Sequence, residues 1–217
     1  MANDDWSGAR GGCLPVEYPY GNYRKNYYKL TTSNAAAVYL GQLMSLDSNG
    51  QAVPLLVNTA ATIFTIGPVV GFADSNMNAL PSSMLQVTAG PYLPANTDGY
   101  VLCADDPDQN YVVQVGTGAN SLCITSAQML QTSTVMYRSV SGNNITGFST
   151  MELDPQQLTQ TGSGVLQVLG LIPVKNSDGT TNAVGGNSSS GVFYTKLRVR
   201  AISHLLSQSP AQIGLGA

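Results

Sequence analysis

Along Val192–Ile202 the side chains alternate residue by residue. Phe193, Thr195, Leu197, Val199 and Ala201 fall on one side, and Tyr194, Lys196, Arg198 and Arg200 on the other. A period of two marks a pleated strand with one buried face. The same period runs through Gln109–Val115, where Tyr111, Val113 and Val115 alternate with Asn110, Val112 and Gln114. Tyr100–Ala104, just before it, is an apolar β-prone run, and Asp105-Asp106-Pro107-Asp108 lies between them. An Asp that bonds its own backbone, next to a proline that presets φ, makes a turn, so the two runs read as a hairpin.

Further strands follow from the same reading. Val38–Leu46 and Gln51–Val57 flank Asp47-Ser48-Asn49-Gly50 and predict a second hairpin, because Asn-Gly supplies the positive φ of a tight turn. Thr62–Ala73 is apolar on both faces, a buried strand broken or bulged at Gly67-Pro68. Met84–Thr88 is a short strand, and Gly90–Pro94 a turn. Leu122–Ile124 and Met129–Val140 alternate weakly, with Ser126–Gln131 open to a short helix. Asn143–Leu153 alternates again, and Asp154-Pro155 resembles a helix N-cap followed by proline. Val165–Pro173 is nearly all apolar and belongs in the middle of a sheet, whereas Lys175–Gly191 has the Gly, Asn and Ser content of a surface loop. Many short strands with turn clusters and no long helix predict an all-β domain over residues 35–217, a jelly-roll-like sandwich or flattened barrel.

Residues 1–34 break this texture. They hold Arg10, Arg24, Lys25 and Lys29, the tyrosines Tyr18, Tyr20, Tyr23, Tyr27 and Tyr28, and the only tryptophan, Trp6, with no period of either kind. The expectation is an extended N-terminal arm whose tyrosines and interleaved cations anchor a protein interface. Binding of nucleic acid by stacking and phosphate pairing, and packing of the arm on its own domain, are the rival readings.

Composition alters the picture in one respect. Only 10% of the 217 residues are charged, against roughly 25% in ordinary soluble domains, while 43% are hydrophobic. A surface built from uncharged polar groups suits coverage by neighbours, because such groups cost less to desolvate than ions. A net charge of −3 does not attract nucleic acid. Met1–Arg10 lacks the apolar core of a signal peptide, and no run reaches the roughly 18 apolar residues of a membrane helix. The expectation is a soluble protein that accumulates inside a cell, with Cys13, Cys103 and Cys123 as reduced, small buried hydrophobes.

Candidate chemistry is sparse. His204 is the one histidine, and no nucleophile elbow, zinc motif or phosphate-binding loop accompanies it. Asp105, Asp106 and Asp108 offer oxygens to calcium but lack an EF-hand's spacing and closing Glu, so a structural turn is expected and no cofactor or metal is assigned. Neither Glu152 nor Asp154 completes a glycosidase pair. The strip Lys196, Arg198 and Arg200 reads as edge protection against strand stacking or as a basic surface for an acidic partner, with phosphate binding as a third reading.

Several short motifs occur in a fixed order: Ala104-Asp105-Asp106-Pro107-Asp108-Gln109 leading into YVVQV, then Gly147–Asp154, then VLQVLGLIP, then YTKLRVRAISH. Across about Leu93–Leu206 this order resembles the head cement or decoration proteins of tailed phages. The resemblance implies a β-rich, non-enzymatic virion protein, made in the host cytoplasm, that binds the outer capsid surface as a small homo-oligomer, a dimer or trimer, with the major capsid protein as partner. The interface residues expected are then Tyr18, Tyr20, Tyr23, Arg24, Tyr27, Tyr28, Lys196, Arg198 and Arg200. A carbohydrate-binding or adhesin module on the virion is the alternative.

Overall fold

The computed structural model describes residues 12–16, 23–30, 36–55, 65–80, 92–115, 130–133, 135–144, 146–153, 164–172 and 196–202. They are all-β: no helix occurs among them, and so none long and apolar enough to cross a membrane. Fifteen strands appear among the described residues. In chain order they are β1 (Leu14–Pro15), β2 (Lys25–Leu30), β3 (Val38–Tyr39), β4 (Leu43–Leu46), β5 (Ala52–Pro54), β6 (Thr65–Ala73), β7 (Ala79–Leu80) and β8 (Tyr92–Leu93). There follow β9 (Gly99–Ala104), β10 (Asn110–Gln114), β11 (Thr132–Ser133), β12 (Val135–Gly142), β13 (Ser149–Leu153), β14 (Leu166–Ile172) and β15 (Lys196–Ala201).

Five strands of the first half close on themselves in the order β4-β5-β2-β9-β6 and back to β4, with β7 appended to β6. Closure puts alternate side chains inside a small barrel. Leu30, Val38, Met44, Ala52, Ile66, Val69, Phe72, Leu93, Val101 and Cys103 form that core. An open sheet, β1-β10-β15-β14-β11, comes chiefly from the second half, and its inward residues Tyr111, Val113, Leu166, Val168, Leu197 and Val199 build a second core with Met151 and Leu153 of β13. Leu43, Leu55 and Ala104 of the barrel region belong to this second core, which joins the two.

Several expectations hold. β4 and β5 pair across the Asp47 turn, with Gly50 at φ 73°. β6 shifts register opposite Met44 and Ser45, at Gly67. β14 lies inside its sheet between β11 and β15. Gly67 is required there: at φ 106° an added Cβ would meet the Ala104 carbonyl oxygen at 1.9 Å. That oxygen also accepts from the buried Tyr111 hydroxyl at 3.3 Å.

Three expectations are corrected. The Tyr100–Ala104 and Gln109–Val115 runs form strands but not a hairpin: β9 pairs with β2 and β6, and β10 with β1 and β15. Asp105–Gln109 is therefore the crossing from one sheet to the other, which the alternation of each strand by itself does not reveal. Secondly, the described part of residues 1–34, namely 12–16 and 23–30, does not stand apart as an arm. Leu14–Pro15 pairs with Val112 and Tyr111, and Lys25–Leu30 pairs along its whole length with β9. Tyrosine on both faces of KNYYKL hides its period of two. Thirdly, Gly90–Pro94 contains β8, which pairs with β3 and stacks Tyr92 on Tyr39 at 5.3 Å between ring centroids. The strand expected at Met84–Thr88, the helical alternatives at Ser126–Gln131 and after Asp154, and the loop Lys175–Gly191 lie wholly or mostly outside the described residues.

Candidate functional site

The sheet crossing holds the most concentrated chemistry among the described residues. Asp105 is fully buried. Its Oδ1 accepts from Arg24 Nε at 3.0 Å, and its Oδ2 accepts from Asn26 Nδ2 at 2.6 Å and from the Tyr28 hydroxyl at 2.7 Å. Arg24 Nη2 also donates to the Asp105 carbonyl at 2.7 Å, and the Asp105 amide donates to the Arg24 carbonyl at 3.2 Å. Burial by itself raises the Asp105 carboxyl. Hydrogen bonds from Tyr28, Asn26 and Arg24, with the guanidinium charge, outweigh it and hold the group below the usual carboxylate range. Tyr28 responds oppositely: burial first, then its bond to the Asp105 anion, pushes the phenol up.

The arrangement is that of a structural clamp. The neighbouring acid is occupied too, since Asp106 Oδ1 accepts the Asp108 amide at 3.0 Å and its carbonyl accepts the Gln109 amide at 3.1 Å. Asp105 and Asp106 thus turn to different partners, and no group of three or more His, Cys, Asp or Glu among the described residues is placed to hold a metal. Cys13 and Cys103 are buried free thiols, raised by desolvation and hence poor nucleophiles. His204, Cys123, Tyr194 and Asp154 lie outside the described residues.

The residues assigned to a partner interface divide. Tyr18 and Tyr20 lie outside the described residues. Tyr23 packs partly buried against the second core and carries Lys25 Nζ at 4.5 Å from its ring centroid. Arg24 and Tyr28 are committed to Asp105, so their polar groups face their own domain. Tyr27 remains exposed, at 37%. On β15, Arg198 and Arg200 are exposed as alternation predicts, while Leu197, Val199 and Ala201 are buried.

Lys196 corrects the expected strip, because it is only 5% exposed. It lies across the ladder from Gln114, whose Nε2 donates at 3.0 Å to Oε1 of Glu152. All three residues are buried, so Lys196 lies inside the sheet interior, across the ladder from a buried polar pair where β10 runs past β13. The basic surface reduces to two arginines with uncharged ladder neighbours. Arg198 is flanked by Val112 and Gly170, and Arg200 by Asn110 and Gln167. Arg200 Nε donates to Gln167 Oε1 at 2.9 Å. An added Cβ at Gly170 would meet nothing within 4 Å, which leaves the sheet surface open beside Arg198.

Sequence reasoning missed Asn26, and missed Asp105 as a buried hub. An acid next to a proline turn carries the same local signal whether it faces water or is roofed by a strand 77 residues away. No protein-family model matches the chain, and no curated protein is significantly similar to it.

Proposed function

We propose that the protein is a non-enzymatic structural component of a phage virion that binds the outer surface of the capsid and cements neighbouring major-capsid subunits. The observation that carries this reading is the outer face of the five-stranded sheet, where Arg198 and Arg200 stand exposed among uncharged neighbours. Such a face favours an anionic protein surface and, being nearly free of other ions, is cheap to desolvate. The ordered motifs from Ala104 to His204 supply the phage head as the setting, and a small homo-oligomer supplies repetition. Each exposed ion pair is worth about 0–1 kcal/mol, so holding a shell together this way depends on many copies acting at once.

The test is co-sedimentation of the purified protein with expanded capsids and with unexpanded precursor shells over a range of salt. Binding to expanded capsids is expected, weakened and made less salt-dependent by Arg198→Gln with Arg200→Gln, while the melting temperature of the free protein hardly moves. Binding to neither shell refutes the reading and leaves a virion adhesin as the successor.

A further inference from the structure

Strand β2 closes the barrel between β5 and β9, but it is paired along its whole length on one side only. Its six residues pair with Gly99–Ala104 in unbroken register, but toward β5 the sole pairing is Leu30 with Ala52. The bond from the Asp105 amide to the Arg24 carbonyl fixes the phase of the β2–β9 ladder. Bonded pairs alternate in an antiparallel ladder, so Asn26 and Tyr28 direct their backbone groups at β9, while the N–H and C=O of Lys25 and Tyr27 point away from it. Among the described residues, nothing pairs with β2 on that side before Leu30. Side chains divide in the same way. Arg24, Asn26 and Tyr28 are gathered by Asp105, and Lys25, Tyr27 and Lys29 are exposed. Exposed lysines on a free edge discourage neutral strands from stacking there, and for the same reason they select an acidic one.

We infer that the free edge of β2 is a docking site for an extended acidic segment of another protein, which adds to the barrel as a strand. The segment carries an acid–x–apolar–x–acid pattern: carboxylates meet Lys25 and Lys29, and the apolar residue covers Tyr27. The Asp105 clamp holds β2 in place beforehand, so the ordering of this edge does not have to be met by the partner. Single-stranded nucleic acid fits less well. Of the β2 tyrosines only Tyr27 is more than a third exposed, and stacking platforms need successive open rings. The inference stands apart from the capsid reading, since it concerns a different strand and is tested without shells.

The probe is a short synthetic peptide with Glu at the two acid positions and Leu between them, titrated into the full-length protein by fluorescence anisotropy. Amide exchange is followed in parallel. Binding is expected, with new protection at the Lys25 and Tyr27 amides, whereas those of Asn26 and Tyr28 are already protected by β9. Lys25→Glu with Lys29→Glu should weaken binding about tenfold. N-methylation of the peptide on its pairing edge should abolish binding. Tyr27→Pro removes an outward N–H and no β9 bond, so it should abolish binding where Tyr27→Ala only weakens it. Equal binding of the N-methylated peptide, absence of new protection at Lys25 and Tyr27, indifference to the charge reversal, or binding of a single-stranded oligonucleotide in place of the peptide would each overturn the inference. If Tyr27→Pro does not fold, the N-methylated peptide decides alone.

Discussion

Replacing Asp105 by Ala tests the clamp most directly. A solvent-facing turn Asp costs about 1 kcal/mol when truncated, but Asp105 is fully buried and accepts three side-chain hydrogen bonds. The bond from half-buried Tyr28 to a charged acceptor is worth about 1.5–3 kcal/mol. The pair with Arg24, whose side chain is 49% exposed, adds only about 0–1 kcal/mol. Exposed Asn26 adds about 0.5–1 kcal/mol. The loss is therefore about 2–5 kcal/mol, and for a chain of this size the melting temperature should fall by about 4–20 °C. Asp105→Asn keeps the volume but turns one acceptor into a donor that faces donors, so it should cost nearly as much. Because the folded carboxyl is held below its unfolded value, the stabilisation is fully present above the unfolded pKa of about 3.9. It is lost as pH falls through the folded value. Urea denaturation of wild type and Asp105→Asn from pH 7 to pH 3 should give a stability gap that is constant down to about pH 5 and shrinks below it. A cost under 1 kcal/mol at pH 7, or a gap unchanged at pH 3, would refute the clamp.

Other positions give sharper structural tests. Gly67→Ala should cost more than about 3 kcal/mol or prevent folding, read by thermal melting, because φ 106° and the Ala104 carbonyl both exclude a side chain. Met77→Gly should stabilise by about 0.5–1 kcal/mol. Met77 is 49% exposed at φ 65°. It sits where the Asp74 turn repeats the Asp47 turn, whose corresponding residue is Gly50. Lys196→Gln should destabilise by at least about 1 kcal/mol because that side chain is buried, whereas Arg198→Gln, on the exposed face, should stay within about 0.5 kcal/mol. Equal melting of those two variants would return Lys196 to the surface.

What was legible in the chain depended on whether one strand's own pattern contained the answer. Val199 and Arg198 declare their faces because a period of two sorts apolar from charged, and Asn49-Gly50 declares its turn because positive φ is a local requirement. Lys196 carries the same local pattern as Arg198 and differs only in what lies over it: Gln114 reaches Glu152 from a strand distant in sequence. The Asp105 corner fails as a hairpin for a related reason. A turn of Asp and Pro reverses or redirects a strand equally well, and the partners of β9 and β10 are chosen by residues outside it. Tyr27 and Tyr28 are the extreme case, since two identical side chains in sequence carry no signal of which one faces water.

Asp105 and the β2 edge are physically linked. A strand paired fully on one side only is a place where local opening begins. Asp105 opposes that opening by engaging Asn26 and Tyr28 of β2 and Arg24 just before it. The clamp also decides which charges remain available: it consumes Arg24 and leaves Lys25 and Lys29 to the outside. Asp105→Asn should therefore weaken the acidic peptide without touching it, because the edge is no longer held in place. Lys25→Glu with Lys29→Glu should weaken the same peptide while the melting temperature stays put. One loss tracks stability and the other does not, which separates holding the strand from recognising its partner.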